Sequence, residues 1–515
     1  MPISIAQGSW LGSIRAFCQP PVIAMLFLGL SAGIPLLLIF SSLGLWLREA
    51  GIERATVTYF SWAALGYSFK FVWAPLVDKL PLPFLTTWLG YRRSWILFSQ
   101  LMIIISICLM AFIDPHQDDL VLMAFAAILL GFSSATQDIV IDAYRIESAE
   151  SSLQALMSSS YIAGYRIGMI VSGAGALLLA NHLGSSIDSY SYSAWQWTYL
   201  CMASIMLIGV ITTLLISEPR QKIHSNFFHD TREHVQLLTL FTLAVTGFIA
   251  VYFFSADTAN QLKAELTSLF SNRPLASVLV EFFRLGLALA GASLVTRLLI
   301  SSGLISYTLV TKTYIEPVKD FFSRYGYSVA WLLLALVGLY RISDIVLGVI
   351  SNIFYQDLGF SKPEIASVVK TFGLLMTLLG GFIGGLLVLR FGVIRILFIG
   401  ALLSALTNLL FMLLAQIGHN MPMLYLVISA DNLSAGLASA AFIAFLSSLT
   451  NVSFTAVQYA IFSSLMTLLP KILGGYSGSM VELFGYEQFF LITALMGAPV
   501  LVLISWINKH IKLNV

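Results

Sequence analysis

The sequence predicts an all-α polytopic membrane protein: two six-helix bundles with two extra transmembrane helices inserted between them, about 14 spans in all. Three observations carry this. Of 515 residues, 58% are hydrophobic and only 10% are charged, with a mean hydropathy of +0.89. A soluble domain carries about 25% charged residues, so the chain is a helical membrane protein. Apolar runs on the order of 20 residues, long enough to span a bilayer, fall into groups of six, two and six. The first and last groups also resemble each other.

The first group runs at about 21–47, 55–79, 94–113, 120–145, 153–180 and 195–217. A polar, basic connector, EPRQKIHSNFFHDTREH, separates it from two runs near 235–255 and 275–300. After a second connector around Lys312–Arg324 come 327–356, 363–389, 393–416, 422–449, 455–481 and 487–508. The domains are therefore 1–217, 218–318 and 319–515. In the repeat, SSSYIAGYRIGMIVSGAG of the first half matches SSLMTLLPKILGGYSGSM of the second. A shift of 305 pairs Arg166 with Lys471 and Gly173 with Gly478. Both helices bear a cation and then small residues one or two turns on, which lets backbones pack closely. Related halves are the signature of a transporter that rocks around a central site.

Charge placement sets orientation. The net charge of +2 suggests neither nucleic acid nor another polyanion as partner. Sixteen Lys and Arg fall on one side of the spans and five on the other: Arg48, Arg54, Lys263, Arg273 and Lys362. The positive-inside rule then places both termini in the cytoplasm. The first apolar run lacks a small-residue cleavage site and reads as a retained helix. Cys18, Cys108 and Cys201 fit no metal or disulfide pattern. The seven histidines are scattered, and HExxH, GxSxG and CxxC motifs are lacking, so neither an enzyme nor a metal or cofactor site is expected.

The remaining six cations lie inside the membrane: Lys70, Arg166, Arg284, Arg341, Lys370 and Lys471. At about 1.5 Å per residue across a core of about 30 Å, Arg166, Arg341 and Asp344 fall near the middle, with Lys471 a little beyond. Lys70 and Asp138 fall in the inner part, and Lys370 and Asp431 in the outer part. Intramembrane charge is expensive and normally faces a bundle interior or a water-filled cavity. Three mid-depth cations suit an anionic ligand, although Arg341 and Asp344, at i and i+3, also read as a self-neutralising pair. Asp344 is the better-placed proton carrier, with Asp138 second, because a neighbouring cation retunes a carboxylate.

Asp138, Asp142 and Arg145 sit at i, i+4 and i+7 in GFSSATQDIVIDAYRIE, so they share one helix face. Asp142 and Arg145, near the helix end, read equally as a structural ion pair. Glu281 and Arg284 of the inserted pair read as structural. Tyr161 and Tyr165 either stack on a sugar face or simply pack. Gln137 and Asn432 either bond a polar ligand or glue helices together.

GIPLLL, FKFVWAPLVD (Phe69–Asp78), SSATQDIVIDAYR (Ser133–Arg145), GYRIGMIVSG (Gly164–Gly173), LYRISD (Leu339–Asp344), VVKTFGLLMTLLGG (Val368–Gly381) and DNLSAGLASAAFIAFLSSLTNVSFTAVQYAIFSSL (Asp431–Leu465) resemble the AmpG-type muropeptide permeases of the major facilitator superfamily. The resemblance covers both halves in order. It implies a proton-driven importer of anhydro-muropeptides carrying N-acetylglucosamine, in the bacterial inner membrane, with no cofactor beyond the proton gradient. Its partners are a small glycopeptide, protons and the lipid bilayer, and the superfamily habit implies a monomer. The family motif residues carried over are Lys70, Asp78, Gln137, Asp138, Asp142, Arg145, Arg166, Arg341, Asp344, Lys370, Asp431 and Asn432. Asp78 followed by Arg92 and Arg93 also resembles the superfamily's gating motif, although an early glycine is replaced and the loop is longer. A transporter of another anionic solute, resembling the acetyl-CoA carriers, or of a peptide or siderophore, is the alternative.

Overall fold

The protein is described from a computed structural model, which covers residues 16–52, 57, 60, 66–116, 120–186, 189–219, 231–270, 273–361, 364–474 and 477–510. Every extended element among these residues is helical. Chain packing forms two compact units. One holds Met1–Val77, Pro81–Ile223 and Phe322–Val515; the other holds Asp78–Leu80 and His224–Phe321.

The first unit contains both halves. In the first half, α1 (Pro20–Leu37) and α2 (Leu43–Glu49) form one span, interrupted by a π turn at Leu38–Ser42. Then come α3 (Gly66–Phe69), α4 (Ala74–Lys79), α5 (Tyr91–Ala111), α6 (Leu120–Ser148), α7 (Ser151–Ile170), α8 (Ala176–His182), α9 (Tyr192–Ile205) and α10 (Leu207–Leu215). The inserted segment supplies α11 (Thr231–Phe254), α12 (Ala256–Phe270), α13 (Arg273–Ser301) and α14 (Glu316–Tyr325). The second half comprises α15 (Tyr327–Leu339), α16 (Ile342–Asp357), α17 (Gly373–Phe391), α18 (Val393–Ile417), α19 (Met421–Leu449), α20 (Thr455–Gly474), α21 (Ser477–Met496) and α22 (Ala498–His510).

Among the described residues twelve helices are long and apolar enough to cross a membrane, where the sequence leads one to expect about fourteen spans. The expected spans 55–79 and 455–481 lie partly outside the described residues. Among the described residues the first of these breaks into α3, a 3-10 turn at Lys70–Val72, and α4. The other yields only a shorter apolar stretch, Val452–Leu468, before Pro470 and Lys471.

Glycine governs the close crossings. A side chain on Gly29 or Gly33 would put its Cβ 2.2 or 2.0 Å from the carbonyl oxygens of Tyr161 and Tyr165. Gly164 and Gly168 stand in the same relation to Leu26 and Leu30, so α1 and α7 touch backbone to backbone. In the second half α17 and α19 cross likewise, with Gly380 against Leu433 and Gly436 against Thr377. Around these seams lie two apolar cores. One is built on Trp46, Met110, Trp195 and Tyr199, the other on Phe354, Phe411, Phe489 and Phe490.

Polar groups fix the helix ends. Glu218 accepts the backbone N–H groups of Arg92 and Arg93 at 2.8 and 3.1 Å, capping α5 where the first N–H groups have no intrahelical partner. Gly90, at φ 92, has no room for a side chain beside that carboxylate. Ser361 and Glu364 exchange hydrogen bonds as a capping box, and the Ser361 N–H and hydroxyl hold the Glu364 carboxyl below its usual range.

In the second unit α11 and α13 cross where Gly247 faces Val295 and Gly291 faces Val251. Glu281 takes Lys263 at 2.5 Å, Arg284 at 3.3 Å and the Tyr252 hydroxyl at 2.8 Å. Arg284 also caps the Tyr252 carbonyl at 2.7 Å. This is a closed structural network.

Candidate functional site

The span holding Arg341 is discontinuous. α15 stops at Leu339 and α16 starts at Ile342, with Arg341 between them at φ −97°, ψ 11°. α16 thus begins afresh midway along the span, with the positive end of its dipole at the break. Asp344 lies in that first turn, where an acid offsets the dipole. Its Oδ2 is 3.5 Å from Arg341 Nε, and it accepts the Ser404 hydroxyl. Arg341 Nη1 donates to Ser439 at 3.0 Å. Asp431, bonded to Thr407 at 3.3 Å, is close enough to feel both Asp344 and Arg341.

Arg166 comes from the other half, midway along α7. It is solvent-exposed, yet it feels the charge of Arg341. A lipid-facing guanidinium at this place would be costly, and Arg166 is instead within electrostatic reach of a charge in the opposite half. Two guanidiniums thus act on one another across the halves, and a bound anion would relieve such a pair.

Below Arg166 lies the Asp138 cluster. Tyr161 donates to Asp138 Oδ1 at 3.1 Å, and Lys70 acts electrostatically on Asp138 while standing 4.0 Å from Asp142. Tyr161 is buried and Tyr165 half-buried, their rings 6.0 Å apart. Gln137 is fully buried and donates to Ser31 at 2.8 Å, which makes it a bond between helices. Asn432 accepts Thr377 at 2.8 Å and donates to the Ile428 carbonyl, the glue role within the second half. Lys370 is exposed, within a π segment at Ile365–Phe372. Lys471 sits on α20, and its side chain lies outside the described residues.

The halves meet at the end that bears Arg92, Arg145 and Arg390, here the basic end. Arg145, fully buried, donates to Asp142 at 3.3 Å, Gln154 at 3.2 Å and Ser158 at 3.1 Å within its own half. It then crosses to Ser447 of the second half at 2.7 Å and lies over the Tyr459 ring at 5.2 Å. The Tyr459 hydroxyl bonds Asp142. A Cβ on Gly385 would stand 2.5 Å from the Ser159 hydroxyl, and Phe17 stacks on Phe382 at 4.5 Å. Arg92 forms a two-pronged buried bond to Glu147, at 2.9 and 2.7 Å. Arg93 caps the carbonyls of Thr213 and Leu214. Asp78 belongs to the second unit, beside Lys79, on which Glu316 and Lys312 also act.

Sequence reasoning missed Glu147, Glu218, Ser404, Thr407, Ser439, Ser447 and Tyr459. Ser404 and Thr407 carry a signal, being polar residues one turn apart in LLSALTNLL, whose one other polar residue is Asn408. The contacts of Ser447 and Tyr459 join residues 302 or more positions apart and carry none.

The major facilitator superfamily model matches residues 21–352 and 332–511. The chain belongs to the major facilitator superfamily. It is 30% identical over 486 residues to the putative transporter AmpG 4 of Rickettsia conorii, covering 94% of this chain and 96% of that one. It is 28% identical over 492 residues to the anhydromuropeptide permease of Escherichia coli K12, covering 95% and 80%. Among solved structures it is similar to the superfamily transporter FucP in the outward conformation, with a TM-score of 0.59, 12% identity, and 96% and 99% coverage. It also resembles the human organic anion transporter MFSD10, at a TM-score of 0.52 and 14% identity over 96% and 99%. The chain is a multi-pass secondary transporter of the AmpG type, and not an enzyme.

Proposed function

We propose that this transporter imports anhydro-muropeptide-like glycopeptides across the bacterial inner membrane, coupled to protons, with its basic end and both termini in the cytoplasm. The opposed Arg166 and Arg341, beside the open start of α16, carry the reading. The peptide arm of such a substrate bears carboxylates, and charge-assisted bonds to guanidinium suit them. The kinship with an anhydromuropeptide permease supports the substrate class, and the excess of basic residues at one end supports the orientation.

Coupling follows from Arg341 having two claims on it. With the site empty it neutralises Asp344. A substrate carboxylate between Arg166 and Arg341 draws the guanidinium away, and a carboxylate that loses its cation in a low-dielectric site binds a proton more readily. Asp344 then takes one proton as the substrate enters and releases it when Arg341 returns. Asp431 and Asp138 are the next acids in reach. The working unit is a single chain, driven by the proton gradient without a cofactor.

The test is uptake of labelled GlcNAc-anhydro-muropeptide into proteoliposomes, with the pH gradient inward-acid, absent or reversed. The expected result is uptake under the inward-acid gradient that Asp344→Asn abolishes and Arg166→Ala strongly lowers. A folded wild-type protein that takes up none under any gradient overturns the substrate. Uptake indifferent to the gradient overturns the coupling.

A further inference from the structure

Residues 307–325 run as a short helix Tyr307–Val310, a π turn Thr311–Ile315 and α14. Leu309, Thr313, Pro317 and Phe321 recur every four residues and are all buried, so one face is packed. The other face exposes Thr308, Lys312, Ile315 and Lys319 at helical spacing. Ile315 is 45% exposed, Val318 43% and Tyr307 64%. Glu316 and Asp320 are half-buried, whereas Lys312 and Lys319 are open, as is Arg297 one turn before the end of α13. The exposed face therefore mixes branched aliphatics with cations.

The segment is tethered at both ends. Only residues 302–306 separate it from α13, and only Gly326 from α15; both neighbours carry membrane spans. Five extended residues reach at most about 18 Å, so the face stays at the bilayer surface. Exposed isoleucine and valine between lysines suit the headgroup–acyl boundary, where the lysine stem lies among apolar groups and the ammonium reaches a phosphate.

We propose that residues 307–325 form an interfacial helix that binds anionic phospholipid headgroups through Lys312, Lys319 and Arg297, seated by Tyr307, Ile315 and Val318. The assignment stands whatever solute is carried. It gives the inserted segment a role: holding its end of the chain against anionic lipid.

The test places an environment-sensitive fluorophore on Ile315→Cys in the full chain, with Cys18, Cys108 and Cys201 replaced, reconstituted in vesicles. Quenching by spin-labelled phosphatidylglycerol is compared with quenching by spin-labelled phosphatidylcholine and by aqueous iodide. The expected result is stronger quenching by the anionic lipid, with an association preference that falls about five-fold per lysine in Lys312→Gln and Lys319→Gln and fades in high salt. Equal quenching by both lipids overturns the headgroup selection. Quenching by iodide alone overturns the seating and points to a water-facing surface for a soluble partner. Should the cysteine-free chain not fold, the amounts of each lipid retained by wild-type and Lys312→Gln/Lys319→Gln protein after detergent exchange give the same comparison. Equal retention by the two proteins is the overturning result.

Discussion

Arg166 and Arg341 differ in how they are held, and the difference sets their roles. Arg341 is held by Asp344 and Ser439, so in the proposed cycle its motion would be felt by an acid. Arg166 is exposed and in the proposed cycle would serve chiefly as fixed charge. Removing a hydrogen bond to a charged group costs about 1.5–3 kcal/mol, so Arg166→Ala should lower uptake at sub-saturating substrate by roughly 10- to 100-fold. Arg166→Lys should keep part of it, since charge survives without the planar fork. A substrate with amidated carboxylates should be indifferent to both changes. Uptake measured for the two substrates in the three proteins checks this, and equal losses for acid and amide would remove the anion role. The charges of this site were legible because an apolar run cannot hide a guanidinium. Their partners were not. Ser404, Thr407 and Ser439 are hydroxyls that a helix can satisfy internally, as Ser439 does with the Ala435 carbonyl, so sequence alone cannot say which of them turn inward. Gln137 read as ligand or glue until its bond to Ser31 and its full burial placed it between helices.

Elements with a strong physical requirement could be read in advance, and those with a weak one could not. A bilayer demands about 20 apolar residues, so the long spans stand out in the sequence. The break at Tyr340–Arg341 is announced only by Gly338 two residues earlier, whereas the turn at Lys70–Val72 is marked by Pro75, which cannot donate to the Phe71 carbonyl. Yet the 305-residue shift that pairs Arg166 with Lys471 also pairs Pro35 with Tyr340, so both halves interrupt the corresponding helix. The glycine seams are the firmest element-scale feature. A Cβ at Gly164 would lie 1.9 Å from the Leu26 carbonyl oxygen, and two backbones must separate to admit it. Gly164→Ala should destabilise the protein by about 1–3 kcal/mol or more. Gly286→Ala, on a helix with nothing within 4 Å, should be neutral or gain about 0.5–1 kcal/mol. Thermal unfolding in detergent compares the two, and equal behaviour would mean that α1 and α7 do not depend on contact between their backbones.

At the scale of the whole transporter the question is what keeps the halves together at the basic end. The cross-half polar bonds converge on one helix terminus: Arg145 to Ser447 at 2.7 Å, and Tyr459 to Asp142. Both involve charged groups in buried surroundings, so each is worth about 1.5–3 kcal/mol. Rocking about a central site must break them in every cycle, and their strength therefore sets how much of the population is closed there. Replacing Arg145 itself would leave Asp142 and Lys70 to rearrange, whereas Ser447→Ala with Tyr459→Phe removes the two cross-half bonds, together with the Ser447 hydroxyl's bond to the Ile443 carbonyl of its own helix, and keeps the ring beneath the guanidinium. The double variant should shift the equilibrium by about 3–6 kcal/mol toward the state open at the basic end. That is enough to turn a closed majority into an open one, provided the closed state leads by less. Spin labels at Ser148 and Ser453, which end α6 and begin the link to α20, report the opening as a longer distance in double electron–electron resonance. The long-distance component should grow in the double variant and shrink again when substrate is bound from the opposite end. A distance distribution identical to that of the wild type would show that apolar packing, at contacts such as Phe17 on Phe382, closes this end unaided.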